Sequence, residues 1–262
     1  MNKLLLIPRA VADLISIWLG QQTWKIKSSF TYTFGILKLK KWLARKDTVI
    51  DFPLLGKRWK GCNNETLQHL IKEMFLEKVY EVNTVGTHAP VSIIDGGSNI
   101  GLSVLFFKTI FPDAVIEAYE PNNQSFQLLQ QNIEANGLHQ VTAKQCALTA
   151  NEEPLYWVAG FGPCSQNQQF SKIGNQEHRV AVQRLSHLLN NKKWDVVKLD
   201  VEGAELDILK DVIKEQCLEN ATCWLVEFHH PLSAIEPVLG KFEKEGFRSS
   251  RKGDVYCFSK KL

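Results

Sequence analysis

No stretch of the 262-residue chain reaches the ~18 consecutive apolar residues of a transmembrane helix. Near the start, Leu4–Ile7 is apolar, but Pro8 and Arg9 follow at once and Asp13 breaks the next run. The ~7–15-residue apolar centre of a secretory signal is therefore missing. An excess of one charge is missing too: the formal net charge is +3, too small to suggest a partner for the chain as a whole. The six cysteines (Cys62, Cys146, Cys164, Cys217, Cys223, Cys257) form no CxxC pair and have no regular spacing. That pattern excludes a zinc ribbon or a disulfide framework and predicts free thiols in a reducing, cytoplasmic setting. There is no internal repeat and no low-complexity tract. With 44% hydrophobic and 23% charged residues, disordered and fibrous classes are excluded, and one main domain with an appendage is expected.

The appendage is residues 1–90. Ile7, Val11, Leu14, Ile15 and Trp18 share one face of a predicted helix over 7–19, a helix packed on the domain or docked on a membrane surface or partner. Residues 21–61 hold ten basic side chains against two acidic ones, with Trp24, Trp42 and Trp59 among them. Such a stretch is a solvated face or an anion-binding one, including peripheral membrane contact. No nucleic-acid-binding motif accompanies it, and no nucleic-acid partner is expected. Asn64 is placed to cap a helix over 65–80.

From residue 91 the pattern changes. Short apolar strands at 91–95, 114–119, 141–148, 194–201 and 222–229 alternate with helices at 99–111, 123–135, 204–214 and 232–245. Strands flank a polar loop at 155–158 and 179–185, and a hairpin over Lys252-Gly253 closes the chain. Buried strands alternating with helices predict an α/β domain over 91–262 built on a mostly parallel sheet, with the closing hairpin supplying an antiparallel strand. The loop at 160–176 is long enough for a lid.

The first β–α turn reads Asp95-Gly96-Gly97-Ser98-Asn99-Ile100-Gly101, and the next strand ends in Glu120-Pro121-Asn122. Glycines allow a sharp turn and close approach of backbone to ligand, and an acid ~20 residues on suits a ribose diol. Asn99 stands where a dinucleotide loop needs glycine, and Asp95 would repel a pyrophosphate. The pattern therefore favours S-adenosylmethionine, its ammonium on Asp95, over NAD. Cys146 and Ala147, at the end of the 141–148 strand, are candidates for the adenine edge. An NAD-dependent sugar oxidoreductase and a non-catalytic cofactor-binding module are the competing readings.

The strand around Val197-Lys198-Leu199-Asp200-Val201-Glu202 carries charge where a central strand should be apolar. By alternation, Lys198, Asp200 and Glu202 share a face, as do Glu227 and His229 on the next strand. If the strands are neighbours, Lys198 pairs with Glu227, and Asp200 lies beside His229 at the carboxyl edge where ligands bind. Asp200, Glu202 and His229 are the candidate catalytic residues, with Asp200 or His229 as base. They are also hard ligands, but no metal-ligand spacing is present and no metal is expected.

The runs DGGSNIG, YEPN, ALTANEEPLYW, VVKLDVEGAELDIL and LVEFHH together resemble the FkbM-type methyltransferases. The resemblance covers residues 91 to about 230. It implies a class I, Rossmann-like fold with a mostly parallel seven-stranded sheet, a C-terminal antiparallel hairpin and, here, a helical N-terminal extension. It implies S-adenosylmethionine as cofactor and O-methylation of a small-molecule or glycan acceptor, a sugar or other natural product. By the same resemblance Asp95, Gly97, Asn99, Gly101 and Glu120 are cofactor contacts, with Gly96, Ser98, Pro121, Asn122 and Asp200 beside them.

Overall fold

The computed structural model describes residues 17, 23–82, 91–159, 169–171 and 179–260. The helix expected over 7–19 lies outside them apart from Ile17, which is helical and closed to solvent. Of the expected 160–176 lid, only the strand at 169–171 is described.

The chain first forms a helix, α1 (Trp24–Leu43), and then a hairpin, β1 (Val49–Leu54) and β2 (Lys57–Cys62). The extension is thus not wholly helical. Ile50, Phe52 and Leu54 alternate inward, and Leu55 and Gly56 turn the chain in the left-handed region at φ 51 and 77. Asn64 accepts the Leu67 amide and caps α2 (Glu65–Ile71), as expected. The helix does not continue to 80. It widens into a π turn at Lys72–Glu77 and stops at Lys78 in the left-handed region. Cys62 is disulfide-bonded, against the expectation of free thiols, whereas Cys146, Cys217, Cys223 and Cys257 are free. Among the described residues no helix is long and apolar enough to cross a membrane.

The sheet comprises β3 (Ser92–Gly96), β4 (Val115–Tyr119), β5 (Val141–Lys144), β11 (Trp194–Leu199), β12 (Ala221–Glu227), β13 (Arg248–Lys252) and β14 (Val255–Ser259). Its spatial order is β13-β14-β12-β11-β3-β4-β5, parallel except that β14 runs against both neighbours. The intervening helices are α3 (Leu102–Ile110), α4 (Asn123–Ala135), α5 (Leu185–Asn191), α6 (Glu205–Lys214) and α7 (Leu232–Lys244). This is the mostly parallel, seven-stranded Rossmann-like α/β architecture with a closing antiparallel hairpin. The 141–148 strand is not continuous: at Gln145-Cys146 the chain leaves the sheet, and β6 (Ala147–Thr149) pairs with β10 (Val182–Arg184). The remaining strands, β7 (Leu155–Ala159), β8 (Gln169–Ser171) and β9 (Arg179–Val180), form a small antiparallel sheet.

Two apolar clusters cover the two faces of the main sheet. On one, Phe30, Phe34, Phe52 and Trp59 of the extension merge with Ile93, Phe106 and Leu129. On the other, Leu189, Leu209, Val212 and Phe242 pack against Val197 and Trp224. The hairpin docks through asparagine amides. Asn132 of α4 and Asn136, its C-cap, bond the amides and carbonyls of Lys60 and Arg58 at 2.8–3.0 Å, satisfying the free edge of β2. Asn132 also donates to the Ile100 carbonyl at 2.9 Å, which ties the extension to the glycine-rich turn.

Candidate active site

β3 has β4 on one side and β11 on the other, so the strand order reverses there. A crevice at the carboxyl ends of such strands is the usual ligand site of an open α/β sheet. It holds a cleft that opens to solvent, about 680 Å³ with the space at its mouth included. Gly97, Asn99, Glu120, Pro121, Asp200 and Glu202 line it, and Tyr119, Ala147, Leu148 and Leu155 give it a largely apolar wall.

The glycine turn is held from below. The Gly97 and Ser98 amides donate to the Tyr119 carbonyl at 3.0 Å, and Ser98 Oγ donates to the Asp95 carbonyl at 2.7 Å. Gly97 sits at φ 73, and a Cβ there would lie 1.7 Å from the Asp200 carbonyl oxygen, so no larger residue fits. At Gly101, φ 91, a Cβ would lie 2.7 Å from Leu129.

Glu120 is almost closed to solvent. Its two oxygens accept the Asn99 amide at 2.9 Å and the Asn122 amide at 2.8 Å. Burial pushes its carboxyl up to about 7, with the two amides opposing the shift. Asn122 caps α4 by accepting from Gln124 and Ser125, and does not line the cleft.

Asp95 departs from the role expected of it. It has no exposed surface and does not line the cleft; Oδ2 accepts from Ser103 at 2.6 Å, and Oδ1 lies 3.3 Å from Lys198 Nζ. The expected Lys198–Glu227 pair is absent as well. Lys198 Nζ contacts Asp95 and, at 3.5 Å, Asp200, and donates to the Gly96 and Gly97 carbonyls at 3.0 and 2.8 Å. Register decides this: on β3, Asp95 stands opposite Lys198, whereas on β12 Leu225 does. Burial would strip the Lys198 proton, but Asp95 and Asp200 outweigh it and hold the ammonium above its ordinary range. Glu227 instead accepts from Tyr80 of the extension at 3.1 Å; burial and Asp200 push its carboxyl up to about 7.

Asp200 and His229 do come together. Asp200, Glu227 and His229 each present a ligand atom, all within 4.8 Å of one another. Among the described residues this set, rather than Asp200, Glu202 and His229, is geometrically able to share a cation. His229 Nδ1 is 3.0 Å from Glu205 Oε1, and Nε2 is 3.9 Å from Glu202. The hydrogen bond to Glu205 raises the imidazole to about 9. Glu205 is fully buried at the start of α6 and also accepts the Val201 and Gly203 amides, both at 3.1 Å. Burial would raise its carboxyl, but the bonds from His229 and the Gly203 amide hold it below the ordinary range.

Of the candidates read from the sequence, Gly97, Asn99, Glu120, Pro121, Ala147, Asp200 and Glu202 lie on the cleft. Gly96, Ser98, Gly101, Asn122, Cys146 and Asp95 lie behind it or beside it, and His229 borders it through Asp200. Glu205 and Tyr80 are parts of the site that the sequence reading did not single out. An acid at the first position of α6, just after a turn with free amides, is a signal that could have marked Glu205. Tyr80 had none, because its place depends on how the extension docks.

A family model described as the methyltransferase FkbM domain matches residues 95–249. "Methyltransferase 1" of Beauveria bassiana is 30% identical over 208 residues, covering 69% of this chain and 81% of that protein. "Methyltransferase sdnD" of Sordaria araneosa is 27% identical over 220 residues, covering 70% and 83%. Among solved structures, a human methyltransferase 10 domain containing protein aligns over 88% of this chain and 97% of that chain, at 13% identity and a TM-score of 0.48.

Proposed function

The chain belongs to the FkbM methyltransferase family, and we propose that it moves the methyl group of S-adenosylmethionine to a hydroxyl oxygen of a small acceptor, a sugar, glycan or other natural product. One observation carries the cofactor reading: the buried carboxylate of Glu120, fixed by two backbone amides, faces a largely apolar cleft at the switch point of the sheet. Each Glu120 oxygen keeps acceptor capacity for a ribose hydroxyl. Ala147, Leu148, Leu155 and Pro121 offer a flat apolar wall for a purine. Asp95, closed off behind the turn, would act through Lys198 and the Gly96–Gly97 carbonyls and not by direct contact. When bound, the cofactor supplies a methyl group on a cationic sulfur. The acidic rim of Asp200 and Glu202 suits that charge.

The chain's own part in the reaction is to align the acceptor and to receive its proton. Alignment favours in-line attack. A buried carboxylate behind one imidazole nitrogen leaves the other nitrogen facing the site, the arrangement by which an acid orients a histidine base. Glu205 and His229 have it. His229 Nε2 would take the hydroxyl proton, with Asp200 holding the acceptor. Membership of a methyltransferase family sets aside the NAD-dependent oxidoreductase reading.

The test is transfer of radiolabelled methyl from S-adenosylmethionine to a panel of hydroxyl and amine acceptors, with NMR locating the new methyl group. Isothermal titration with S-adenosylmethionine and with NAD accompanies it. Binding of the first alone and a methoxy product are expected. A methylated nitrogen would overturn the O-transfer reading, and binding without any transfer would favour a non-catalytic module.

A further inference from the structure

Helix α1 has two apolar faces. Phe30, Phe34 and Leu37 are buried in the shared core. At about 100° per residue, Trp24, Tyr32, Leu39 and Trp42 fall on the opposite side, with Leu43 at their margin. These five are 76%, 62%, 50%, 62% and 67% exposed, respectively. Gly35 lies within the same stripe, and a Cβ there would meet nothing within 4 Å. The stripe runs the length of the helix, about 28 Å. Packing a helix on a core requires only one apolar stripe, and this second one stays largely open to solvent. Exposed aromatic patches of this length mark a contact surface.

Charge selects the occupant. Between Trp24 and Lys46 there are seven basic residues and no acid. Lys25 is exposed beside Trp24, and Arg45 and Lys46 are exposed just beyond the helix. Trp and Tyr rings with lysines around them suit the boundary between lipid headgroups and acyl chains, where an apolar body and a polar tip are both satisfied. Each basic residue near an anionic leaflet adds to the attraction, and salt screens it. We propose that α1 lies with this second face in the headgroup layer of an anionic membrane, so that the enzyme works at a lipid surface.

The test uses the full chain in flotation with vesicles of phosphatidylcholine alone and of phosphatidylcholine mixed with phosphatidylglycerol. Binding to the mixed vesicles, a blue shift of tryptophan emission and weakening in high salt are expected. The triple variant Trp24→Ser, Tyr32→Ser, Leu39→Ser should bind at least about tenfold more weakly at an unchanged melting temperature. A second variant, Lys25→Glu with Lys46→Glu, should lose the preference for anionic lipid even if the first fails to fold. Equal binding to both vesicle types would overturn the proposal, as would none. So would a concentration-dependent dimer that the triple variant abolishes, which would make the occupant a second copy. Proteolytic protection of residues 1–22 lost only in the triple variant, without lipid binding, would make it the chain's own N-terminal segment.

Discussion

Lys198 and Asp95 face each other across β11 and β3, Nζ to Oδ1 at 3.3 Å, with at most 1% of either side chain exposed. The same ammonium holds the Gly96 and Gly97 carbonyls and approaches Asp200. One buried cation therefore couples the glycine turn, which lines one side of the cleft, to the acid at the end of the central strand. Glu227, whose sequence position suggested it as the partner, takes the Tyr80 hydroxyl instead.

Breaking this pair should be costly. Lys198→Met leaves Asp95 buried without its counter-charge, a loss of about 3–5 kcal/mol, and Asp95→Asn, which leaves Lys198 beside Asp200 and two carbonyls, should cost somewhat less. For a chain of this size the melting temperature should fall by on the order of 10 °C. Glu227→Gln should shift it much less. Thermal scans of the three variants check this; equal shifts would show that the Lys198–Asp95 contact carries no special weight.

Gly97→Ala should abolish S-adenosylmethionine binding and lower the melting temperature, because the new Cβ would lie 1.7 Å from the Asp200 carbonyl oxygen and force the turn off β11. Gly137→Ala is the control. It too has a positive φ, 55, but nothing lies within 4 Å of its Cβ, so only a backbone cost of about 1 kcal/mol is expected, with binding retained. Isothermal titration of both variants decides the point.

Stability and cofactor affinity should respond to pH in opposite senses. The carboxyls of Glu120 and Glu227 are each pushed up to about 7, and the His229 imidazole to about 9. A raised value in the folded state means that stability is fully present below the unfolded value and is lost as pH rises through the folded one. The ligand-free enzyme should thus melt lower at pH 9 than at pH 6. A diol needs the ionised carboxylate, so cofactor affinity should instead rise as pH passes about 7. Glu120→Gln should flatten the affinity profile and remove part of the stability slope. An affinity that falls between pH 6 and pH 8 would contradict the role given to Glu120.

His229→Ala should keep cofactor binding and lose methyl transfer by roughly 10²–10⁴-fold. Parental transfer should increase with pH toward about 9 as the imidazole becomes free to accept a proton. Glu205→Gln keeps an acceptor for the Val201 and Gly203 amides but removes the charge behind His229. Its rate profile should rise at lower pH and reach a lower plateau. Asp200→Asn should raise the acceptor KM as well as lower kcat, separating a holding role from that of the base. A pH profile unchanged in Glu205→Gln would place the base elsewhere.

Much of the fold was written locally. The apolar runs ending in Asp95, Glu120 and Asp200, and the turn residues after them, announced a parallel α/β sheet because strand period and turn chemistry are properties of neighbouring residues. Helix α4 spans Asn123–Ala135, the range read from the sequence, and Asn122 caps its start, since caps act within one turn. The cleft residues Gly97, Glu120 and Asp200 were legible for the same reason. What remained was decided by pairing over long separations. Strand order and register set Asp95 rather than Glu227 beside Lys198, for a different neighbour or a one-residue slip changes every partner. Docking of the extension brought Tyr80 to Glu227, 147 residues away, and turned one apolar face of α1 to the core and the other to solvent. Burial of Glu205, and with it the proton affinity of His229, arises only once α6 closes over the sheet, because the surroundings that shift a titration come from the folded chain and not from sequence neighbours.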